Sequence, residues 1–161
     1  IGGVGANGGL GTPVVSMARA KITMIGRGED DPAKFGRPDK RSGMVKRGSR
    51  TYPRSAKVEG YGRVYFFTRN FGSWRSGTII STMVMDGRYR GYKIRYMHLG
   101  EVHPSLVVGD IVEAGQEIGI MGGTAVQESC PHVHVDMTDL EERRVDVKSL
   151  LGLDEPHGSC P

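Results

Sequence analysis

Cys130-Pro131-His132-Val133-His134-Val135-Asp136 is the stretch of this chain best equipped for chemistry. Side chains alternate along an extended strand, so His132 and His134 leave one face while Val133 and Val135 enter the other. The two imidazoles then stand about 7 Å apart along the strand. That spacing can place one on a metal ion and the other on a water bound to it. A metal takes neutral imidazole, and a neighbouring acid or base manages the proton. By itself a His-x-His pattern is weak, because two surface histidines on an edge strand have the same letters. The setting strengthens it: the pair follows a Gly122-Gly123-Thr124 turn and a proline, and a third histidine lies upstream in Tyr96-Met97-His98-Leu99. Tyr92, Ile94, Tyr96 and His98 alternate onto one face of that run, which puts His98 at the end of a strand on its more apolar side. Tyr92 and Tyr96 either pack the core or line a substrate cleft, core being the plainer reading.

Cys130 shares the alternation of His132 and His134, so a mixed Cys/His metal site is conceivable, although Pro131 disturbs the strand geometry it needs. Cys130 and Cys160 form no CxxC knuckle; they are either one disulfide pinning the tail, or two free thiols. Asp136 either orients an imidazole from behind or is a solvated strand residue, the second being the plainer reading.

The elements that must position these residues read as strands. Glycine supplies 25 of 161 residues, about twice its average usage. With no collagen-like period, the glycines mark turns between many short strands. Strand-like runs occupy Val14 to Ala18, Ala20 to Ile25, Gly62 to Thr68, Thr78 to Met85 and Tyr92 to His98. Asp86-Gly87 is a hairpin signal between the last two. Leu106 to Asp110, Ile111 to Gln116 and Glu117 to Gly123 then form a ladder of very short strands, in which Asp110 and Gln116 serve turns. Residues 27–57 are polar, basic and broken by proline, with neither a 2 nor a 3.6 period, which predicts a long surface loop. Only Val145 to Leu151 has a weakly helical pattern, and an exposed tail is expected from Asp154. The predicted class is all-β, one domain, an antiparallel sheet with a short-strand ladder.

No apolar run approaches the roughly 18 residues of a membrane span. The opening Ile1-Gly2-Gly3-Val4 lacks the basic and apolar regions of a signal peptide, and without an initiator Met it reads as a fragment or a processed product. The net charge of +4 collects between Arg37 and Arg95. A solvated basic face is the plainer account, a polyanionic partner the sharper one. Nucleic acid is not expected, because no stacking aromatics interleave with the basic residues.

The order Tyr96-Met97-His98-Leu99, then Val108-Gly109-Asp110-Ile111-Val112-Glu113-Ala114-Gly115-Gln116, then Pro131-His132-Val133-His134 resembles the M23 family of zinc metallopeptidases, the lysostaphin-type or LytM-like domains. Gly11-Thr12-Pro13-Val14 fits the family's opening strand. The resemblance covers about 1–26 and 60–151, with 27–57 as an insertion. It implies a barrel-sandwich-hybrid fold over a peptidase domain at 1–153, with 154–161 as tail. It implies zinc as cofactor, His134 as a metal ligand, and His98 with His132 as the paired catalytic histidines. The substrate it implies is a peptidoglycan peptide, and the location extracytoplasmic or phage-tail-associated. The family's other ligands are the His and Asp of an H-x-x-x-D motif just ahead of the segment beginning Ile1-Gly2-Gly3. They are expected upstream of Ile1, which makes the domain truncated at its front edge.

Two alternatives compete with a zinc endopeptidase. The first is a catalytically inactive LytM-like regulator or cell-wall-binding module, against which stands the retention of all three histidines. The second uses the ladder as a biotinyl or lipoyl carrier. That chemistry needs a lysine at the turn, and Met121-Gly122-Gly123-Thr124 has none.

Overall fold

A computed structural model describes residues 9–70 and 75–147. In chain order the elements are β1 (Pro13–Val15), β2 (Ala20–Gly26), α1 (Pro32–Phe35), β3 (Arg37–Pro38), β4 (Met44–Arg47), β5 (Arg50–Pro53), β6 (Ser55–Val58), β7 (Gly62–Tyr65) and β8 (Thr68–Asn70). There follow β9 (Thr78–Val84), β10 (Lys93–Val102), β11 (Ile111–Val112), β12 (Glu117–Met121), β13 (His134–Thr138) and β14 (Arg144–Val145). The all-β expectation is borne out.

β10 is the spine of the main sheet, whose order runs β1-β12-β10-β9-β2-β11. Along one edge β10 pairs with β9. Along the other it pairs first with β13, from Lys93 to Met97, and then with β12, from Leu99 to Val102. The change of partner falls at His98. Every pairing in the sheet is antiparallel, and four of its ladders carry a register shift, which curls the sheet. The inward face follows from alternation: Ile94 and Tyr96 of β10, Ile80, Thr82 and Val84 of β9, and Ala20 and Ile22 of β2 are all buried. The Tyr96 hydroxyl accepts from the Met17 backbone N–H at 3.0 Å, which satisfies its polar end inside the core. Tyr96 is therefore core and not cleft. Gly122 and Gly100 mark where β12 and β10 run closest: a Cβ on Gly122 would stand 2.5 Å from the Gly100 Cα.

The segment 27–57, expected as an irregular loop, carries short elements of its own. Asp31 caps α1 by accepting from the Lys34 N–H, Pro32 opens the helix, and Gly36 at φ 97° ends it. β4 and β5 form a hairpin, β6 pairs with β7, and β3 pairs with β8. Val45, Tyr52, Val64, Phe66 and Phe67 make a second core with Ile120 beneath these hairpins. Strands of two to four residues are too short to print a period on the sequence. Two further expectations are corrected. Leu106 to Asp110 is a turn and not a strand, with the Asp110 carboxylate accepting from the Val107 N–H at 3.0 Å, and Val107 and Val108 are exposed. Val145 lies in β14, paired with Met137, and helix begins only at Val147; the rest of that run, from 148, is outside the described residues, as is the expected tail.

The inserted hairpins close around one buried carboxylate. Asp39, 3% exposed, accepts from the Arg41 backbone N–H, from Arg41 Nε and Nη2, and from Arg54 Nε. Its own N–H donates to the Phe67 carbonyl at 2.8 Å. The hydrogen bonds from Arg41 hold its carboxyl at about 2, below the ordinary 3.8, against the opposing pull of burial. A carboxylate depressed in the folded state stabilises above its unfolded pKa and loses that stabilisation as pH falls through the folded value. Asp39→Asn is therefore expected to lower stability by about 2 kcal/mol at neutral pH. The deficit relative to the parent should shrink as pH drops from about 4 to 2, measured by denaturant unfolding; a pH-independent difference would contradict the ion-pair account.

Candidate active site

Where β10 changes partner, His98 adopts φ 63°. Its N–H turns out of the ladder to donate to the Ser76 carbonyl at 2.8 Å. Regular alternation from Tyr96 would send His98 into the core. The bulge resets it: Leu99 takes the core position, and His98 turns to the face that carries Met97 and, directly opposite, His134. The expectation that His98 shares a face with Ile94 and Tyr96 is thus corrected. The shift is what brings the histidines together, since the His98 ring lies 5.0 Å from that of His132 and 6.2 Å from that of His134, edge to face in both cases. His134 is the first residue of β13 and His132 lies just ahead of it, with Val133 between them buried in the core.

Two of the three rings are fixed by backbone carbonyls. His98 Nδ1 lies 2.8 Å from the Thr124 oxygen, and His132 Nδ1 lies 2.8 Å from the Cys130 oxygen. A carbonyl only accepts, so each Nδ1 must carry a proton, and in the neutral ring Nε2 is then the nitrogen with the lone pair. Thr124 is itself locked: its hydroxyl donates to the Leu99 carbonyl at 2.7 Å and accepts from the Thr78 N–H at 3.0 Å. Gly77, at φ 63°, leaves the room Thr124 needs. Thr124 and Ser76 are the positioning residues that sequence reasoning missed. The Gly122-Gly123-Thr124 turn was legible, but a backbone carbonyl aimed at a ring has no letter of its own.

Burial holds the His98 imidazole at about 4, below the ordinary 6.5, and the neighbouring His132 pushes in the same direction. Burial also lowers His134, opposed by the Asp136 carboxylate. Both rings are neutral at physiological pH. Asp136 is buried and not the solvated strand residue expected. Arg95, its cross-strand partner, donates to both of its oxygens, at 2.8 and 2.6 Å. His134 Nε2 stands 3.9 Å from the carboxylate, beyond hydrogen-bond reach. His132 and Asp136 reproduce the letters H-x-x-x-D, yet this carboxylate is already committed to Arg95 and makes no ligand pair. His103 sits apart, against Tyr61 and Ser105, and His157 is outside the described residues. Cys130 is disulfide-bonded, which removes the free-thiol and Cys/His readings. Among the described residues no group of three or more His, Cys, Asp and Glu side chains is placed to hold a metal ion. His134, neutral and half exposed, fits one corner of such a site and no more.

Residues 57–147, more than half the chain, match the family model of Peptidase family M23. Among solved structures, LytU is similar over 89% of this chain and 66% of its own, just under two thirds, with 18% identity and a TM-score of 0.52. The catalytic domain of the antimicrobial peptidase lysostaphin from Staphylococcus simulans aligns over 89% of this chain and 72% of its own, with 22% identity and a TM-score of 0.48. The catalytic domain of the prophage-encoded M23 protein EnpA from Enterococcus faecalis aligns over 86% and 68%, with 14% identity and a TM-score of 0.46. No curated protein sequence matches. The likeness to LytU is one of fold, the curled antiparallel sheet anticipated from the ladder.

The carbonyl contacts make a spectroscopic prediction. Nitrogen-15 spectra at neutral pH are expected to show His98 and His132 as Nδ1–H tautomers. A proton on Nε2 of either neutral ring would contradict the arrangement.

Proposed function

The chain belongs to peptidase family M23, and from that premise we propose that it is a zinc-dependent endopeptidase cleaving peptide bonds of bacterial peptidoglycan. The observation that carries the reading is the convergence of His98 and His132, each held by a backbone carbonyl with Nε2 unprotonated, beside a neutral His134. His98 and His132 are the proposed catalytic pair and His134 the proposed ligand. The peptidase domain is taken as 1–153 with 27–57 inserted.

Zinc, when bound, polarises a carbonyl and acidifies water towards neutrality. His134 would hold it at one corner, and the remaining ligands are not among the described residues. The imidazole pair handles the protons. A neutral Nε2 accepts the proton of the attacking water, and the resulting imidazolium donates it to the departing amine. With the rings 5.0 Å apart, the one that has taken the proton of the water can donate its new Nε2–H towards the oxygen of the tetrahedral carbon before passing it to the amine. Burial keeps the His98 Nε2 free of a resident proton at neutral pH, so it is available to accept one.

The disulfide at Cys130 supports an extracytoplasmic location, since such bonds persist in oxidising compartments. No helix among the described residues is long and apolar enough to cross a membrane. The competing reading is a catalytically inactive LytM-like regulator or wall-binding module.

Elemental analysis and a peptidoglycan digestion assay on the natural full-length protein separate the two. The enzyme reading expects zinc at about one per chain. His132→Ala is expected to keep that zinc and lose roughly 10²- to 10⁴-fold in kcat, whereas His134→Ala should lose metal and activity together. A folded protein with all three histidines, no zinc and no hydrolysis would leave the regulator reading standing.

A further inference from the structure

We infer that the inserted segment carries an anion-binding site for a phosphodiester polymer without bases. An open cavity of about 470 Å³ lies over α1 and the β3–β8 ladder, lined by Arg37, Lys40, Arg41, Arg69 and Glu29 among others. Its charges are unequally compensated. Arg41 spends Nε and Nη2 on Asp39, and Lys40 reaches Glu29 at 3.6 Å. Arg37 and Arg69 are exposed, and among the described residues neither guanidinium has an acidic or hydrogen-bonding partner. Arg37 pairs across the ladder with Asn70 and Pro38 with Thr68, so Arg69 is the residue the register shift leaves unpaired, and both arginines line the same cavity. Like charges lining one cavity repel, and an anion bound between them relieves that repulsion. A guanidinium offers a planar fork of donors matched to phosphate oxygens, and two of them suit successive phosphates of one chain.

The cavity wall discriminates among polyanions. Apart from the charged groups its lining is Gly28, Pro32 and Pro38, with no aromatic face on which a nucleobase would stack. The occupant is therefore read through its phosphates, as in a polyol-phosphate chain. The site also lies close to the histidine cluster. A narrow recess shares Gly28, Glu29 and Pro38 with the cavity and runs to Thr78 and Thr124, beneath His98. The binding inference stands without the peptidase reading; only its purpose, holding anionic wall material beside the centre, rests on that reading.

The experiment is calorimetric and needs no hydrolysis. Poly(glycerol phosphate) is titrated into the natural protein, into an Arg37→Gln/Arg69→Gln variant, and into a Lys57→Gln/Arg63→Gln variant. The last pair removes the same charge from the exposed β6–β7 hairpin, outside the cavity. The cavity variant is expected to bind about tenfold more weakly or worse, with a shallower salt dependence. The hairpin variant should bind as the parent does. Equal weakening in both variants would overturn the inference, because binding would then belong to the basic face at large. So would no weakening in the cavity variant, or a thymidine oligonucleotide of equal phosphate count binding as tightly as the polyol chain. Loss of zinc or of peptidase activity would leave these titrations unchanged, so the two proposals fail separately.

Discussion

The site depends on a single irregular residue in β10. A ten-residue strand cannot keep perfect register with β13 and β12 on the same edge, because the two arrive from different parts of the chain. The mismatch is absorbed at His98, whose φ of 63° lies in a region costing about 1–3 kcal/mol for a non-glycine residue. Surrounding contacts over-determine it. Ser76 takes the displaced N–H, Thr124 takes the ring nitrogen, and Leu99 refills the core position. Without the bulge His98 would be another core side chain, and the His132–His134 pair would face the sheet alone.

The electrostatics follow from that placement. Three imidazoles packed edge to face repel one another when charged, and burial makes charging harder still. The protein settles this by burying His98 and His134, which lowers the pKa of both, and by giving His98 and His132 a carbonyl as proton acceptor at Nδ1. The one carboxylate at hand is withheld, because Arg95 occupies both oxygens of Asp136. A free carboxylate beside His134 would raise its pKa and encourage a proton on the nitrogen that must stay bare. Arg95 thus shields the cluster's basicity without touching a histidine.

Much of this was legible in the sequence. Alternation in β9 and β10 is clean enough to mark the core face, and the spacing of His132 and His134 fixes their common side. The same alternation misplaced His98, since a bulge inserts one residue without any change in composition. Asp136 reads as a solvated acid because its partner, Arg95, is 41 residues away. The strands of segment 27–57 left no period because each is stabilised by its hairpin partner and a shared buried core, and not by its own pattern.

The stretch from Phe66 to Thr68, just after segment 27–57, is also part of what holds the histidines. The Phe66 carbonyl accepts from the Gly123 N–H at 2.7 Å, and the Thr68 hydroxyl accepts from the Ala125 N–H at 2.9 Å. Residues on both sides of Thr124 are therefore tied to Phe66 and Thr68, and Thr124 carries the carbonyl that orients His98. Phe66 is fixed in turn by donating its own N–H to Arg54, whose side chain reaches Asp39. A continuous line of hydrogen bonds runs from the buried Asp39 to the histidine ring. Segments inserted at the surface are usually tolerated because they touch little. Segment 27–57 reaches the site through Arg54 and Phe66, so the ion pair of Arg54 with Asp39 supports the geometry that presents the His98 Nε2.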